Sequence, residues 1–292
     1  MLTQDKSDKL ISIFVDFDDL VQLVHCQMLP SQRAAFGFSS RMSISEIASI
    51  LIFYHHSEYK NFQYYYHSMV ELELRHYFPC LLSYKRFLRL IEHVLPYMLA
   101  FRHWQCRQSE LTQLYFIDSK RLPVCHNRRI ASHRVFRGIA QRGKSSTGFF
   151  YGFKVHLIIN NLGQIMQFAF TPANVADNNH DLLRQLSQGI KGRCYGDKGY
   201  VSSIFEELFQ KGFRLVAKLR DNMKNKLCEI QDRYGMAKRG LIESVNDLLM
   251  TICDIEHTRH RKPENAFTHM AAALVAYGYL DRKPKVQFSL NE

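Results

Sequence analysis

From residue 114 onward, short apolar runs alternate with helical segments, and this order constrains the fold more than any other feature. LYFID at 114–118 has the composition of a strand, as do YGFKVHLIIN at 151–160 and IMQFAF at 165–170. The last two runs are separated by the turn NLGQ, which predicts a β-hairpin. Further strands alternate with helices up to a helix over 238–253. We therefore expect an α/β fold in which helices flank a mixed β-sheet.

The first third of the chain has a different pattern, because its apolar residues recur at helical spacing. One helix is predicted over 8–27. Ser43 and Glu46 have the spacing of a capping box, which indicates the start of a second helix. Ser83 can cap a third helix, and Pro96 should kink or split it. These helices predict a small all-α region.

This change in the spacing of apolar residues divides the chain into two predicted domains. Residues 1–113 would form a small helix-turn-helix-like domain, and residues 114–292 the α/β domain. Short helices with polar connections suit binding to DNA ends. The N-terminal region carries no net charge, so packing or oligomerisation is an equally good interpretation.

Composition excludes several classes of protein. The seven cysteines are an odd number without any CxxC pair, which argues against a disulfide framework or a structural zinc site. No apolar run approaches the roughly 20 residues of a membrane span. The N-terminus lacks the basic start and apolar stretch of a signal peptide. We therefore expect a soluble cytoplasmic protein without a membrane partner.

The net charge of +12 is unevenly distributed. Residues 114–164 contain nine Lys and Arg but only one acidic residue, which indicates a polyanionic partner such as nucleic acid. A solvated basic face is the alternative, with the run from His257 to Lys262 as the next candidate for a DNA channel. The residues expected to contact phosphates are Arg128, Arg129, Arg134, Arg137, Arg142 and Lys144.

Three acidic residues stand out by their position. Asp118 closes the predicted strand LYFID, and Asp197 closes the strand GRCYGD. Side chains at strand ends project from the sheet rim, where the sites of open α/β folds collect. Glu243 lies on the last predicted helix, four residues after Arg239 and therefore on the same face.

Three carboxylates can converge only if something offsets their repulsion, and a divalent metal is the usual solution. Mg²⁺ takes hard oxygen ligands, and two such ions can serve phosphodiester displacement. We expect the three carboxyls to lie close enough to share one or two ions even without bound metal. Asp177 and Asp181 are instead interpreted as helix-cap and surface acids.

The chain contains the motifs IDS (117–119), TPANVADNNH (171–180), GDKGY (196–200) and RGLIES (239–244), the last followed by IEHTRHRKPENAF. Together these motifs resemble those of the DDE transposases of bacterial insertion sequences. The resemblance extends to the N-terminal stretches MSISEIASILIFYH and FPCLLSYKRF, and therefore spans nearly the whole chain. It implies an RNase H-like fold with two Asp on neighbouring strands and the Glu on a helix.

The resemblance also implies an activity. Asp118, Asp197 and Glu243 would be the catalytic and metal-binding residues, holding two Mg²⁺ ions for which Mn²⁺ can substitute. The enzyme would cut double-stranded DNA at the terminal inverted repeats of an element and join the ends to target DNA. It would act as a homo-oligomer on DNA in the bacterial cytoplasm, associated with the nucleoid when bound. Further DNA contacts are expected from Lys198, Arg239, Arg259 and Arg261.

Two other functions stay open at this point. One is a metal-dependent nuclease that cuts without strand transfer, and the other is an inactive transposase remnant that only binds DNA. The third acid has an alternative as well. Glu256 also lies near basic residues, although it lacks an Arg four positions earlier.

Overall fold

A computed structural model describes residues 3–27, 40–145, 148–217, 229–256 and 259–287. The chain divides into two compact units. The first comprises Met1–Gln105 with Leu249–Leu280, and the second comprises Cys106–Leu248 with Asp281–Glu292. The sequence suggested a single boundary after residue 113, whereas in the structure a C-terminal segment returns to the N-terminal helices.

The helices named below are α1 Gln4–Gln27, α2 Ile44–Tyr54, α3 Phe62–Tyr65, α4 Tyr84–Gln108, α5 His180–Leu186, α6 Phe205–Gln210, α7 Ile230–Ala237, α8 Gly240–Thr251 and α9 Pro263–Gly278. The strands are β1 Leu114–Cys125, β2 Gln141–Ser145, β3 Gly148–Asn160, β4 Ile165–Pro172, β5 Gly192–Gly196 and β6 Phe213–Ala217.

The described part of the first unit contains the predicted helices α1, α2 and α4. Ser43 and Glu46 form the predicted capping box, in which each side chain accepts a hydrogen bond from the other residue's backbone N–H. Pro96 lies inside α4 without splitting it, on an exposed face of the helix. Helix α9 was not predicted, and its Ala272 and Val275 share one buried core with α1, α2 and α4.

The second unit is built on a mixed sheet in the order β2-β3-β1-β5-β6, with β4 also paired to β3. Strands β1 and β5 are parallel, as are β5 and β6, whereas β3 runs antiparallel to its neighbours. The predicted hairpin β3–β4 is confirmed. The mixed sheet with flanking helices confirms the expected α/β class and is consistent with an RNase H-like fold.

Two details of the sheet differ from the sequence-based expectation. Strand β1 does not end at Asp118 but continues to Cys125, because its second half pairs with β3. The basic segment before the hairpin, expected to be a loop, contains the additional edge strand β2. Neither segment has a strong local strand pattern, and both are strands because they pair with β3.

The packing of the sheet determines which way Asp118 faces. Leu183 of α5 and Leu208 of α6 lie in one buried apolar cluster with Ile117 of β1 and Cys194 of β5. Helices α5 and α6 therefore cover the face to which Ile117 points. Since successive residues of a strand point to opposite faces, Asp118 faces away from these two helices.

Helix α7, which leads into α8, is held against β5 and β6 by ion pairs and by close packing. Asp232 is 4% exposed and accepts hydrogen bonds from Arg193 at 3.4 Å and Arg214 at 2.6 Å. Gly235 lies so close to the ring of Tyr195 that an added Cβ would come within 2.1 Å of it. These contacts fix the start of the helix pair that carries Glu243.

Two glycine substitutions test this packing. Gly235→Ala should lower the free energy of unfolding by about 1–3 kcal/mol, because the methyl group overlaps a fully buried ring. Gly240→Ala is the matched control, since a Cβ there meets nothing within 4 Å. It should stabilise the protein by roughly 0.4–1 kcal/mol through the unfolded chain. Urea unfolding measures both, and equal effects of the two substitutions would contradict the α7–β5 packing.

Candidate active site

The parallel register of β1 and β5 relates Asp118 to Asp197. Leu114, Tyr115 and Phe116 pair with residues that lie 79 positions later in the chain, and Asp118 and Asp197 have the same separation. Strand β5 ends at Gly196, directly before Asp197. Because neighbouring strands lie about 4.8 Å apart, the two aspartates arise from matching positions of adjacent strands.

Asp118 is half-buried, whereas Glu243 is exposed. Burial raises the pKa of the Asp118 carboxyl to about 6. A hydrogen bond from the Ser119 backbone and the guanidinium of Arg239 oppose this rise of the pKa, whereas the nearby carboxylates of Asp177 and Glu243 contribute to it. Asn246 donates a hydrogen bond from Nδ2 to Asp118 Oδ2 at 3.0 Å. The Asp118 carboxyl therefore has a fixed orientation in an environment that disfavours its charge.

Asp197 lies at the turn after β5. Its Oδ1 accepts a hydrogen bond from the backbone N–H of Lys198 at 2.7 Å, which caps a short 3-10 turn. The preceding Gly196 contacts β1, since a Cβ there would lie 2.9 Å from Ile117 Cγ2. A glycine before Asp197 thus lets the backbone approach the strand of Asp118. Lys198 is exposed beside it.

Glu243 lies on α8, which crosses the face of β1 that carries Asp118. The contacts of α8 with β1 are the Asn246–Asp118 hydrogen bond and an ion pair of 3.5 Å between Asp247 and Lys120. Glu243 Oε1 accepts a hydrogen bond from Arg239 Nη2 at 2.9 Å, as their spacing predicted. The Glu243 side chain is 58% exposed, so it is accessible to a ligand.

Asp177 is a site residue that the sequence analysis misassigned. It does not cap α5, because that role belongs to Asn179. Asp177 Oδ1 instead accepts hydrogen bonds from Lys154 Nζ at 2.9 Å and Ser119 Oγ at 3.0 Å. Ser119 is the neighbour of Asp118, so this bond ties the loop before α5 to β1.

One signal in the sequence could have drawn attention to Asp177. It is the first acidic residue after Asp118, at the end of a stretch of 58 positions without Asp or Glu. The other surface acid, Asp181, is 92% exposed and pairs with Arg184, as expected for an ordinary helix surface.

The expectation of a preassembled metal cluster is wrong. Within the described ranges, no three His, Cys, Asp or Glu side chains lie close enough to hold a metal ion. Each predicted acid has a separate partner, namely Asn246 for Asp118, the Lys198 N–H for Asp197 and Arg239 for Glu243. The donor set still fits Mg²⁺, because all three residues offer hard carboxylate oxygens.

All six basic residues predicted to contact phosphates are exposed. Arg128 and Arg129 lie on a 3-10 turn after β1, and Arg142 and Lys144 lie on the edge strand β2. Arg134 and Arg137 lie between these two elements. We call the set from 128 to 144 the basic strip. It combines a turn and a strand edge rather than one pliable loop.

The remaining predicted residues fall in the first unit. Arg259 and Arg261 are exposed there, and Glu256 is half-buried in the same unit. His260 Nε2 forms a hydrogen bond of 3.1 Å with His269 Nδ1. His257 lies outside the described residues.

The fold and the site together define a class. An RNase H-like sheet with aspartates at matching positions of two parallel strands, and a glutamate on a crossing helix, is the architecture of DDE enzymes. The family model of the transposase DDE domain matches residues 108–263, and the chain belongs to this family. The comparison with curated proteins finds no match. No helix in the described part of the chain is long and apolar enough to cross a membrane.

The buried Asp118 carboxyl gives a pH-dependent prediction. Its pKa is raised in the folded protein, so the metal-free protein should lose stability as pH rises from about 4 through 6. Asp118→Asn should therefore raise the free energy of unfolding at pH 8 by about 1–3 kcal/mol, and have little effect at pH 4. Urea unfolding in a chelator measures this, with the exposed Asp181→Asn as control. A loss of stability at pH 8 in Asp118→Asn would contradict the cost of burying this charge.

Proposed function

We propose that this transposase-family protein cuts DNA at the ends of a mobile element and joins the freed ends to target DNA. The observation that carries the proposal is the register that relates Asp118 to Asp197, with Glu243 near Asp118. We further propose that the element is a bacterial insertion sequence, so that the protein acts on DNA in the bacterial cytoplasm.

Asp118, Asp197 and Glu243 would hold the divalent metal, Mg²⁺ or in its place Mn²⁺, with two ions at the site. When bound, such ions activate the attacking oxygen and offset the charge that develops on the leaving oxygen. Asn246 would keep the Asp118 carboxylate oriented towards the site through its 3.0 Å hydrogen bond. Arg239 would hold the Glu243 carboxylate through its hydrogen bond until the carboxylate binds the metal.

The DNA would be guided to this site by the basic strip. No acidic residue interrupts the sequence from 119 to 176, so the region presents only positive formal charge to a phosphate backbone. Lys198 would contact a phosphate next to Asp197. Two element ends must be held together for joining, and we therefore propose a homo-oligomer on DNA.

The catalytic assignment predicts a clear hierarchy of variants. Asp118→Ala and Asp197→Ala should each lower the cleavage rate about 1,000-fold or more, because metal contributes several kcal/mol to the transition state. Their DNA affinity should change little. Glu243→Gln should reduce cleavage similarly, whereas Glu256→Gln, its matched control, should not.

The measurement is cleavage and joining of labelled element ends in Mg²⁺, with intact and with pre-cleaved DNA. Cleavage without joined products from pre-cleaved ends would identify a plain nuclease. DNA binding without either reaction would identify an inactive remnant. A reversed order of the two Glu variants would move the catalytic helix downstream.

The basic strip predicts a salt effect. Each phosphate contact contributes a slope of roughly −0.9 in log K against log salt, so Arg128→Gln, Arg129→Gln and Arg134→Gln together should flatten the slope by up to about three. The loss of binding affinity should be similar for specific and random DNA, since contacts to phosphates carry little sequence information. The matched control replaces three exposed basic residues outside the strip, Lys191, Arg233 and Arg282, by Gln. An unchanged slope in the variant of the basic strip would show that the strip is only a solvated face.

A further inference from the structure

A basic cavity lies within the first unit, formed by residues of the α2–α3 segment, α4 and the segment before α9. Its volume is about 580 Å³. Concave sites of roughly 300–1,000 Å³ accommodate ligands of the size of a nucleotide. The catalytic assignment uses none of its residues.

The charge of the cavity indicates an anionic ligand. No Asp or Glu is among the described residues that line it. Lys262 is paired with the nearby Glu92 at 2.9 Å, and Lys60 donates to the Thr251 carbonyl at 3.2 Å. The other four cations are exposed to solvent. The basic residues of the lining are Lys60, Lys85, Arg89, Arg259, Arg261 and Lys262.

Aromatic rings form part of the wall and indicate more than a simple anion. Phe62 and Tyr84 are half-buried in the cavity, with ring centroids 6.3 Å apart. Phe62 is also in ring contact with His260 at 6.1 Å. Aromatic rings beside cations are the combination that binds single nucleotides, because the base stacks while the phosphate is neutralised.

A buried amide adds an acceptor to the same wall. Asn265 lines the cavity and is 5% exposed. Its Nδ2 donates to the Leu88 carbonyl at 2.7 Å, and among the described residues its Oδ1 has no hydrogen-bond partner. A phosphate cannot satisfy this acceptor, whereas the N–H group of a base can.

We propose that this cavity binds one unpaired nucleotide of a DNA strand, with the base against Phe62 and the phosphate held by Lys85, Arg89, Arg259 and Arg261. That the strand is DNA rests on the proposed function, whereas the nucleotide follows from the cavity itself. A cavity of this volume admits one nucleotide that has left the duplex, but not the paired duplex.

The test compares two DNA duplexes in a chelator, so that no cleavage occurs. One is fully paired, and the other carries a single unpaired 2-aminopurine. Fluorescence anisotropy should show about 5- to 100-fold tighter binding of the unpaired form, the range that one stacked base provides. The 2-aminopurine emission should be quenched on binding. Equal affinity for both duplexes, with no quenching, would overturn the proposal.

Variants assign the preference to the cavity. Phe62→Leu should abolish the preference and the quenching. If Phe62→Leu does not fold, Lys85→Gln with Arg89→Gln, both on the exposed side of α4, should still reduce the preference for the unpaired duplex. Arg41→Gln, an exposed arginine of the same unit outside the cavity, is the control and should leave the preference intact. An equal loss in Arg41→Gln would overturn the proposal.

A competition experiment distinguishes the binding of a nucleotide within a DNA strand from the binding of a free nucleotide. Millimolar deoxyadenosine monophosphate should not displace the unpaired duplex. Tight binding of the free nucleotide, with no preference for unpaired DNA, would overturn the proposal. The catalytic variants at Asp118 and Asp197 should retain the preference, so failure of the proposed function and failure of this cavity give different results.

Discussion

The pairing of β1 with β5 is the constraint on which the candidate site depends. It fixes Asp118 and Asp197 at matching positions of two parallel strands, far apart in sequence. The close contact of Gly196 with Ile117 leaves no room for a side chain between these strands. Any shift of this register by one residue would turn one aspartate to the wrong face of the sheet.

The third acid depends on a different set of contacts, which reaches the sheet through α7 and α8. The ion pairs of Asp232 and the approach of Gly235 to Tyr195 hold α7 on β5. Asn246 then ties α8 to β1 through the carboxyl of Asp118. The site therefore combines strongly fixed backbone positions with a glutamate that is more than half exposed. An exposed glutamate on a fixed backbone can release one binding partner and take another, as a reaction requires. Active sites commonly sacrifice some folding stability for such freedom.

The sequence predicted those parts of the fold that have a local pattern. Helices α1, α2 and α4, the β3–β4 hairpin and the short strand that leads to Asp197 belong to this class. The second half of β1 could not be predicted, since it begins with three polar residues and contains Pro123, and it becomes a strand only by pairing with β3. Helix α9 is buried on nearly all sides, so it lacks the amphipathic stripe that reveals a helix. The place of Asp177 depends on Lys154 and Ser119, which lie far from it in the chain.

The return of Leu249–Leu280 to the first unit has a consequence for any attempt to treat that unit as a separable module. Its core is completed by α9, whose Ala271, Ala272 and Val275 pack among residues from the beginning of the chain. A fragment ending at residue 113 would leave this apolar surface open to water and to other molecules. Because Asp281–Glu292 belongs to the second unit, each unit consists of two segments of chain, and three polypeptide connections join them. The helical unit can therefore be transplanted or recombined only as two segments of chain, never as a single N-terminal cassette.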